Sequence, residues 1–378
     1  MSQSVFATNI NVIDFRVKLA CLLLLVVTST PAQNDSAIAA EINAAFEIGS
    51  VVVSAGETYR GEIEVPTGGD EISSLIPITV HNGVQDGPIL ALIAGIHGSE
   101  YAPILSMQEF AAKIDPAQLS GTLVIVHIAN MPAFQGRTIY FGPEDLKNLN
   151  RSFPGDADGT ITERIAYTLT HEVMMRSDYV IDIHSGDANE SLRPSYSAYY
   201  AEAGGDAVVR ESRRIAVAFS LETIVQFAGS YDSVDEAIYT SAQAVTLGIP
   251  AMDVESGELG RVDDPYVDPI TDGALNVMRE LNMIAGEPEL PANPVFISNR
   301  ARVYSEYNGI WYPDQLVKTG DYVSEGSRLG MITDYHGNEL ETITAPASGI
   351  LLILFGTPPV NEGDNIVVIG RVPADTPN

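Results

Sequence analysis

The sequence predicts an α/β core followed by a small all-β domain, and three observations carry that prediction. Nearly continuous apolar runs alternate with helix-like segments between about residues 88 and 285. Residues 286–294 hold three prolines in nine positions, the composition of a linker. Beyond them, from 295 to 372, strand and turn signals recur with almost no helical period.

Each element follows from its local pattern. Residues 42–80 hold short strand-like pieces, Val51-Val52-Val53 and Ile76-Pro77-Ile78-Thr79-Val80, broken by glycine and acidic turns. An apolar run at 88–96 reads as a buried strand, 101–114 as a helix and 123–128 as the next strand. Thr160 and Glu163 form a capping box ahead of a helix at 165–175, and 179–183 is again a buried strand. Further helices are expected at 206–219, 235–247 and 270–284, with Gly248 stopping the second and a short strand at 251–254. The domains expected are thus a leader at 1–32, a main domain at 33–285 that includes the N-terminal β segment, a linker at 286–294 and a β domain at 295–378.

Composition narrows the function. With 378 residues and 45% hydrophobic content the chain can bury a large core, which excludes disorder. Fifty acidic against 20 basic residues give a formal charge of −30, which repels phosphate backbones and anionic lipid, so no nucleic-acid partner is expected. Arg16 and Lys18 precede an apolar run at 19–27, and Thr30-Pro31-Ala32 supplies small residues at a cleavage site. That is the layout of a secretory signal; the run is short for a membrane span, and no later segment reaches about 20 apolar residues. A periplasmic or secreted protein with no stable membrane span after cleavage is the expectation. The one cysteine, Cys21, falls inside the leader, so the mature chain has no disulfide.

The residues that carry chemistry stand at strand ends. Gly95-Ile96-His97-Gly98-Ser99-Glu100 places a histidine and a carboxylate three apart just past a buried strand, where open α/β sheets gather their ligands. Ile181-Asp182-Ile183-His184-Ser185-Gly186 ends a second strand in histidine. Two imidazoles and a carboxylate are the three protein ligands a catalytic zinc uses, with the fourth place open. Asp182 is an expected partner for a ligating imidazole, whose other ring nitrogen needs an acceptor. Ala251-Met252-Asp253-Val254-Glu255-Ser256-Gly257 ends a third strand in a glutamate suited to act as proton acceptor, with Glu258, in the following loop, as its competitor. Between the histidines, Arg137 and Arg151 lie in loop-like settings, and arginine is the preferred fork for a carboxylate or a developing oxyanion.

Together the motifs G-I-H-G-S-E, N-L-N-R-S-F-P-G, D-I-H-S-G-D and V-E-S-G resemble, in order, those of the succinylglutamate desuccinylase and aspartoacylase family, from about residue 76 to 372. The resemblance implies a zinc-carboxypeptidase-like mixed sheet flanked by helices, with a C-terminal barrel-sandwich-like β domain. It implies Zn2+ held by His97, Glu100 and His184, with Glu255 as general base and Arg137 polarising the scissile carbonyl. It also implies that Asn150 and Arg151 grip a free carboxylate of a small-molecule substrate. Glu255-Ser256-Gly257 departs from the family, which often has a glycine pair after the base. Tyr304 and Tyr307 are candidates for a tyrosine that some relatives bring to the reaction centre, and Arg193 for a contact to a second acidic group. The β domain is also similar to biotinyl and lipoyl carriers, but no lysine lies between Leu329 and Ala345 to carry a cofactor; the resemblance to aspartoacylase-like enzymes implies instead a lid that narrows access to the metal.

The activity expected is hydrolysis of the amide of a small N-acyl amino acid. An exported metallocarboxypeptidase and a non-catalytic metabolite-binding protein are the alternatives. His81, His127, His171 and His336 are expected to be structural.

Overall fold

The computed structural model describes residues 42–373. The leader expected at 1–32 lies outside the described residues, and no helix among the described residues is long and apolar enough to cross a membrane.

A hairpin of β1 (Phe46–Ile48) and β2 (Val51–Val53) precedes the long strands β3 (Glu57–Val65), β4 (Ser74–Asn82) and β5 (Gln85–Ala94). There follow α1 (Tyr101–Lys113), β6 (Ser120–Val126), α2 (Met131–Gly136), α3 (Ile161–Thr168), β7 (Tyr179–His184), β8 (Glu190–Leu192) and β9 (Tyr196–Tyr200). Then come α4 (Asp206–Ala218), β10 (Thr223–Phe227), α5 (Thr240–Thr246), β11 (Ala251–Glu255), α6 (Asp264–Glu280) and β12 (Val295–Ile297). Nine of these strands form one mixed sheet in the order β12-β10-β9-β11-β7-β5-β6-β4-β3.

Its centre, β11-β7-β5-β6, is parallel. Both faces are covered, which is why those strands read as unbroken apolar runs. Alternate residues go to opposite sides. Leu90, Leu92, Leu123, Ile125, Ile181 and Met252 pack with residues of α1, α4 and α6. Ala91, Ile93, Val124 and Val126 pack with residues of α3, α5 and the N-terminal hairpin. The chain leaves β5 through α1 to β6 on one side, then crosses to β7 on the other side of β5. This reversal opens a crevice at the carboxyl end of β5.

Several expected helices are shorter or shifted. The capping box is present, with Thr160 N donating to Glu163 Oε2 at 2.9 Å, but α3 starts at once and gives way at 169–176 to a π turn and a 3-10 turn. Instead of a helix over 235–247, a single 3-10 turn at Val234–Glu236 is followed by α5 from Thr240. The reason is tertiary: Asn150 Oδ1 accepts from Thr240 N at 2.9 Å and from its Oγ1 at 3.0 Å, so the helix begins where it meets the loop before α3. Gly248 ends α5 in the left-handed region, φ +85°, as expected.

The remaining strands are β13 (Arg300–Tyr304), β14 (Gly309–Pro313), β15 (Tyr322–Val323), β16 (Arg328–Thr333), β17 (Glu339–Thr344), β18 (Gly349–Phe355), β19 (Pro359–Val360) and β20 (Asn365–Gly370). They form two antiparallel sheets, β13-β20-β18-β15 and β17-β16-β14-β19, around a core that includes Trp311, Leu329 and Leu351. The division expected at 286–294 is bridged on both sides. β12, from beyond the linker, pairs with β10 in the large sheet, and β8, from before it, pairs with β18. Leu192, Val225, Ile297, Leu352 and Val368 share one core, so residues 42–373 form a single compact unit.

Candidate metal centre and its cavity

The reversal at β5 brings the three expected ligands together. β5 ends at Ala94 and turns through Gly95, φ +72°, where a side chain would meet the Ile128 backbone at 2.9 Å. His97 and Glu100 follow in this turn, and Glu100 is the residue before α1. His184 is the last residue of β7 and is register-paired with Glu255, the last of β11.

His97 Nδ1 lies 2.6 Å from Glu100 Oε1, and His184 Nδ1 lies 2.8 Å from Glu100 Oε2. All three side chains are buried, and one donor atom from each lies within 4.8 Å of the others. Burial pushes the Glu100 carboxyl up, yet the two imidazoles outweigh it and hold it at about 2. Two imidazole nitrogens and an ionised carboxylate oxygen, buried and convergent, suit a divalent ion of zinc type. His184 Nε2 is 2.9 Å from Asp182 Oδ2, the hydrogen bond that orients a ligating ring.

A second triad, Asp182, His184 and Asp253, has the same reach and lies one pleat further into the sheet. Here His184 turns its Nε2 toward Asp182, and Asp253 Oδ1 accepts from Ser241 Oγ at 2.7 Å. Burial, then the adjacent Asp182 charge, pushes the Asp253 carboxyl to about 7, so the pair does not carry two charges cheaply. We read it as the support beneath the metal ligands.

The three ligands open into a cavity of about 690 Å³, a volume in the range of small-molecule sites. Glu255 lines it. Burial pushes its carboxyl well above the usual range; His184 pulls it back, while Glu100, Asp253 and Asp182 push it further. A carboxylate with raised proton affinity beside a metal site suits proton transfer near neutral pH. Glu258 does not line this cavity. It accepts from Tyr266 Oη at 2.6 Å and Ser191 Oγ at 2.9 Å and pairs with Arg193 at 2.7 Å. This also removes Arg193 from the substrate side.

Asn150 and Arg151 line the cavity too. Asn150 spends its Oδ1 on Thr240, leaving its amide nitrogen without a partner among the described residues. Arg151 lies over the Tyr239 ring at 4.2 Å and donates to the Asn150 carbonyl at 2.6 Å. Arg137 departs from expectation: it caps α2 in the left-handed region, φ 55°, its side chain is exposed, and it does not line the cavity. Its place at a helix end, carried by the short α2, turns it to solvent.

The structure adds residues that the sequence did not single out. Tyr140 sets its ring edge on His97, with centroids 5.4 Å apart. Asp187, buried, and Glu190, on β8, face the same space. From the β domain come Arg300, Arg302, Ile353, Phe355 and Asp364, and of the two tyrosines the sequence offered Tyr304 joins them, whereas Tyr307 stays outside. Apart from Asp187, the last residue of D-I-H-S-G-D, none of these lies in a motif; strand exchange between the two regions brings the β-domain residues there. His81, His127 and His171 take structural contacts, with Thr58 Oγ1 at 2.9 Å, Thr79 Oγ1 at 2.8 Å and a stacked Tyr167 ring.

Residues 86–281, just over half the chain, match the catalytic domain of the succinylglutamate desuccinylase/aspartoacylase family. The chain belongs to this family. Among relatives, the N-alpha-acetyl-L-2,4-diaminobutyric acid deacetylase of Halomonas elongata is 29% identical over 339 residues, covering 85% of this chain and 94% of that protein. The product-bound ectoine utilization protein EutE (DoeB) of Ruegeria pomeroyi superposes with a TM-score of 0.75 at 25% identity, over 85% of this chain and 98% of that one. A family member from Rhodobacter sphaeroides does so at 0.71 and 25%, over 82% and 95%. The family's fold is therefore that of this chain, β domain included.

Proposed function

We propose that this protein is a zinc-dependent hydrolase that cleaves the amide bond of a small N-acyl amino acid. The observation that carries the reading is the meeting, at one cavity, of the His97-Glu100-His184 donors and the Glu255 carboxyl. The Halomonas relative, a deacetylase by name, supports the reaction class.

His97, Glu100 and His184 would hold the ion. When bound, Zn2+ supplies Lewis acidity, which makes water nucleophilic at neutral pH and polarises a carbonyl. Glu255 takes the proton from the attacking water on its carboxylate and returns it to the departing nitrogen. Asp182 holds the His184 ring in its ligating orientation through Nε2. The Asn150 amide and the Arg151 guanidinium offer donors to the free carboxylate of the amino acid. Ile353 and Phe355 of the β domain wall the cavity, which favours small substrates over extended peptides.

The leader pattern adds the proposal that the enzyme works in the periplasm or outside the cell. The function is tested by metal analysis together with amine release from a panel of N-acyl amino acids and short peptides. Bound zinc and cleavage of the acyl amino acids are expected. Absence of zinc, or cleavage of peptides alone, sinks the reading.

A further inference from the structure

The large sheet ends in β3, whose one strand partner among the described residues is β4. β3 is nine residues long, holds no proline and runs in unbroken register with β4, so it lacks the bulges and prolines that blunt an exposed edge. Outside that pairing, no backbone group of the described chain bonds the backbone of residues 58–65. Beside the strand lies a groove of about 860 Å³, bounded by the hairpin turn at Gly49-Ser50 and by Tyr167 and His171. Consecutive residues 61–67 line it, from both faces of the strand, so the groove follows the edge. The outward N–H and C=O groups of a long strand therefore stand beside open space, a template for one more strand.

The side chains decide what that strand is. Thr58, Arg60, Glu62 and Glu64 share one face of β3, where the three charged residues are exposed; Tyr59, Gly61, Ile63 and Val65 share the other. When two identical strands pair antiparallel about a two-fold axis, opposed residues share a face, so the axis passes at a residue. An axis at Arg60 sets Arg60 against itself, one at Glu62 sets Glu62 against itself, and one at Ile63 sets Glu62 against Glu64. Like charges directly opposed are destabilising. An axis at Tyr59 leaves Glu62 and Glu64 outside the pairing. An axis at Gly61 sets Arg60 against Glu62 on both sides, sets Tyr59 against Ile63 on the other face, and brings no side chain to the axis itself. Gly61 is also the midpoint of Glu57–Val65, so this register pairs the strand over its whole length.

We propose that β3 is the docking surface for a second copy of this chain, the two strands pairing antiparallel about Gly61 so that two nine-stranded sheets become one. The alternating charges, which turn away most strands, select this partner and this register. No residue of β3 lines the metal cavity, so the pairing leaves the cavity open. The inference stands apart from the reading of that cavity as a hydrolase site.

The test is sedimentation of the full chain over a concentration series at about 0.15 M salt. There, charges more than about 8 Å apart are largely screened, and the −30 carried by each copy does not mask the contact. The wild type is expected to reach twice the chain mass. Arg60→Glu sets glutamate against glutamate on both sides of the axis and is expected to weaken the dimer about tenfold or more. Adding Glu62→Arg restores opposite charges and is expected to recover it. Hydrogen exchange reads the place: the amides of 58–65 are expected to slow as wild-type concentration rises, and not in Arg60→Glu. A chain that stays monomeric throughout the series overturns the proposal. So does a dimer that Arg60→Glu leaves intact, that the double variant fails to recover, or that adds no protection in β3. If Arg60→Glu does not fold, Glu62→Arg alone, which sets arginine against arginine, takes its place with the same outcomes.

Discussion

At the scale of single residues, the site is a set of carboxyl groups that differ by what surrounds them. Glu100 is held ionised between two imidazoles, Glu255 is driven toward its neutral form, and Asp182 is spent on a ring nitrogen. If Asp182 orients His184, Asp182→Ala weakens zinc binding by about 10- to 100-fold. Chelator competition measures this, and unchanged affinity would remove Asp182 from the metal site. That His97, Glu100, His184, Asp182 and Glu255 gather in one place was legible in the sequence because each stands at or just beyond a strand end, where a short motif fixes position. Arg137 was not, since its motif sets the neighbourhood but not the direction of a long side chain at a helix end. Arg300 carries no motif at all, and only strand exchange brings it to the cavity.

At the scale of elements, two polar ties hold the site loops to the sheet. Asn150 caps the start of α5, so Asn150→Ala leaves Thr240 without its acceptor and costs about 1–2 kcal/mol, readable as a lower denaturation midpoint. An unchanged midpoint would show that the tie is decorative. Glu258 joins the loop after β11 to Ser191, Arg193 and Tyr266. Burial raises its carboxyl, but Arg193, Tyr266 and Ser191 outweigh burial and hold it at about 2, against 4.5 ordinarily. A depressed carboxyl stabilises the fold above its unfolded value, and the contribution fades as pH falls from there toward the folded value. Between pH 4.5 and 2, Glu258→Gln should therefore lose less stability than the wild type; parallel loss in urea titrations would contradict this. The expected helix over 235–247 failed for the same class of reason, because local pattern does not record the Asn150 contact.

At the scale of the molecule, the apolar runs foretold a sheet covered on both faces, and the β domain was visible from the change of pattern at the prolines. What the sequence did not record was how the two parts join, since β8, β12 and their partners are short and pair across more than 70 residues. With Leu352 and Val368 in one core with Leu192 and Val225, the described chain should unfold in a single calorimetric transition. Leu352→Ala should lower that transition as a whole, at a cost of about 2–5 kcal/mol. Two separate transitions would mean that the β domain stands alone. The joining also gives the cavity its second wall.

The central claim, zinc-assisted amide hydrolysis with Glu255 as the proton carrier, is tested most directly by one comparison. Wild type and Glu255→Gln, brought to equal zinc content, are assayed for amine release from N-acyl amino acids. The account predicts that the variant holds its zinc and loses about 10²- to 10⁴-fold in kcat. A variant as active as the wild type at equal zinc would contradict it.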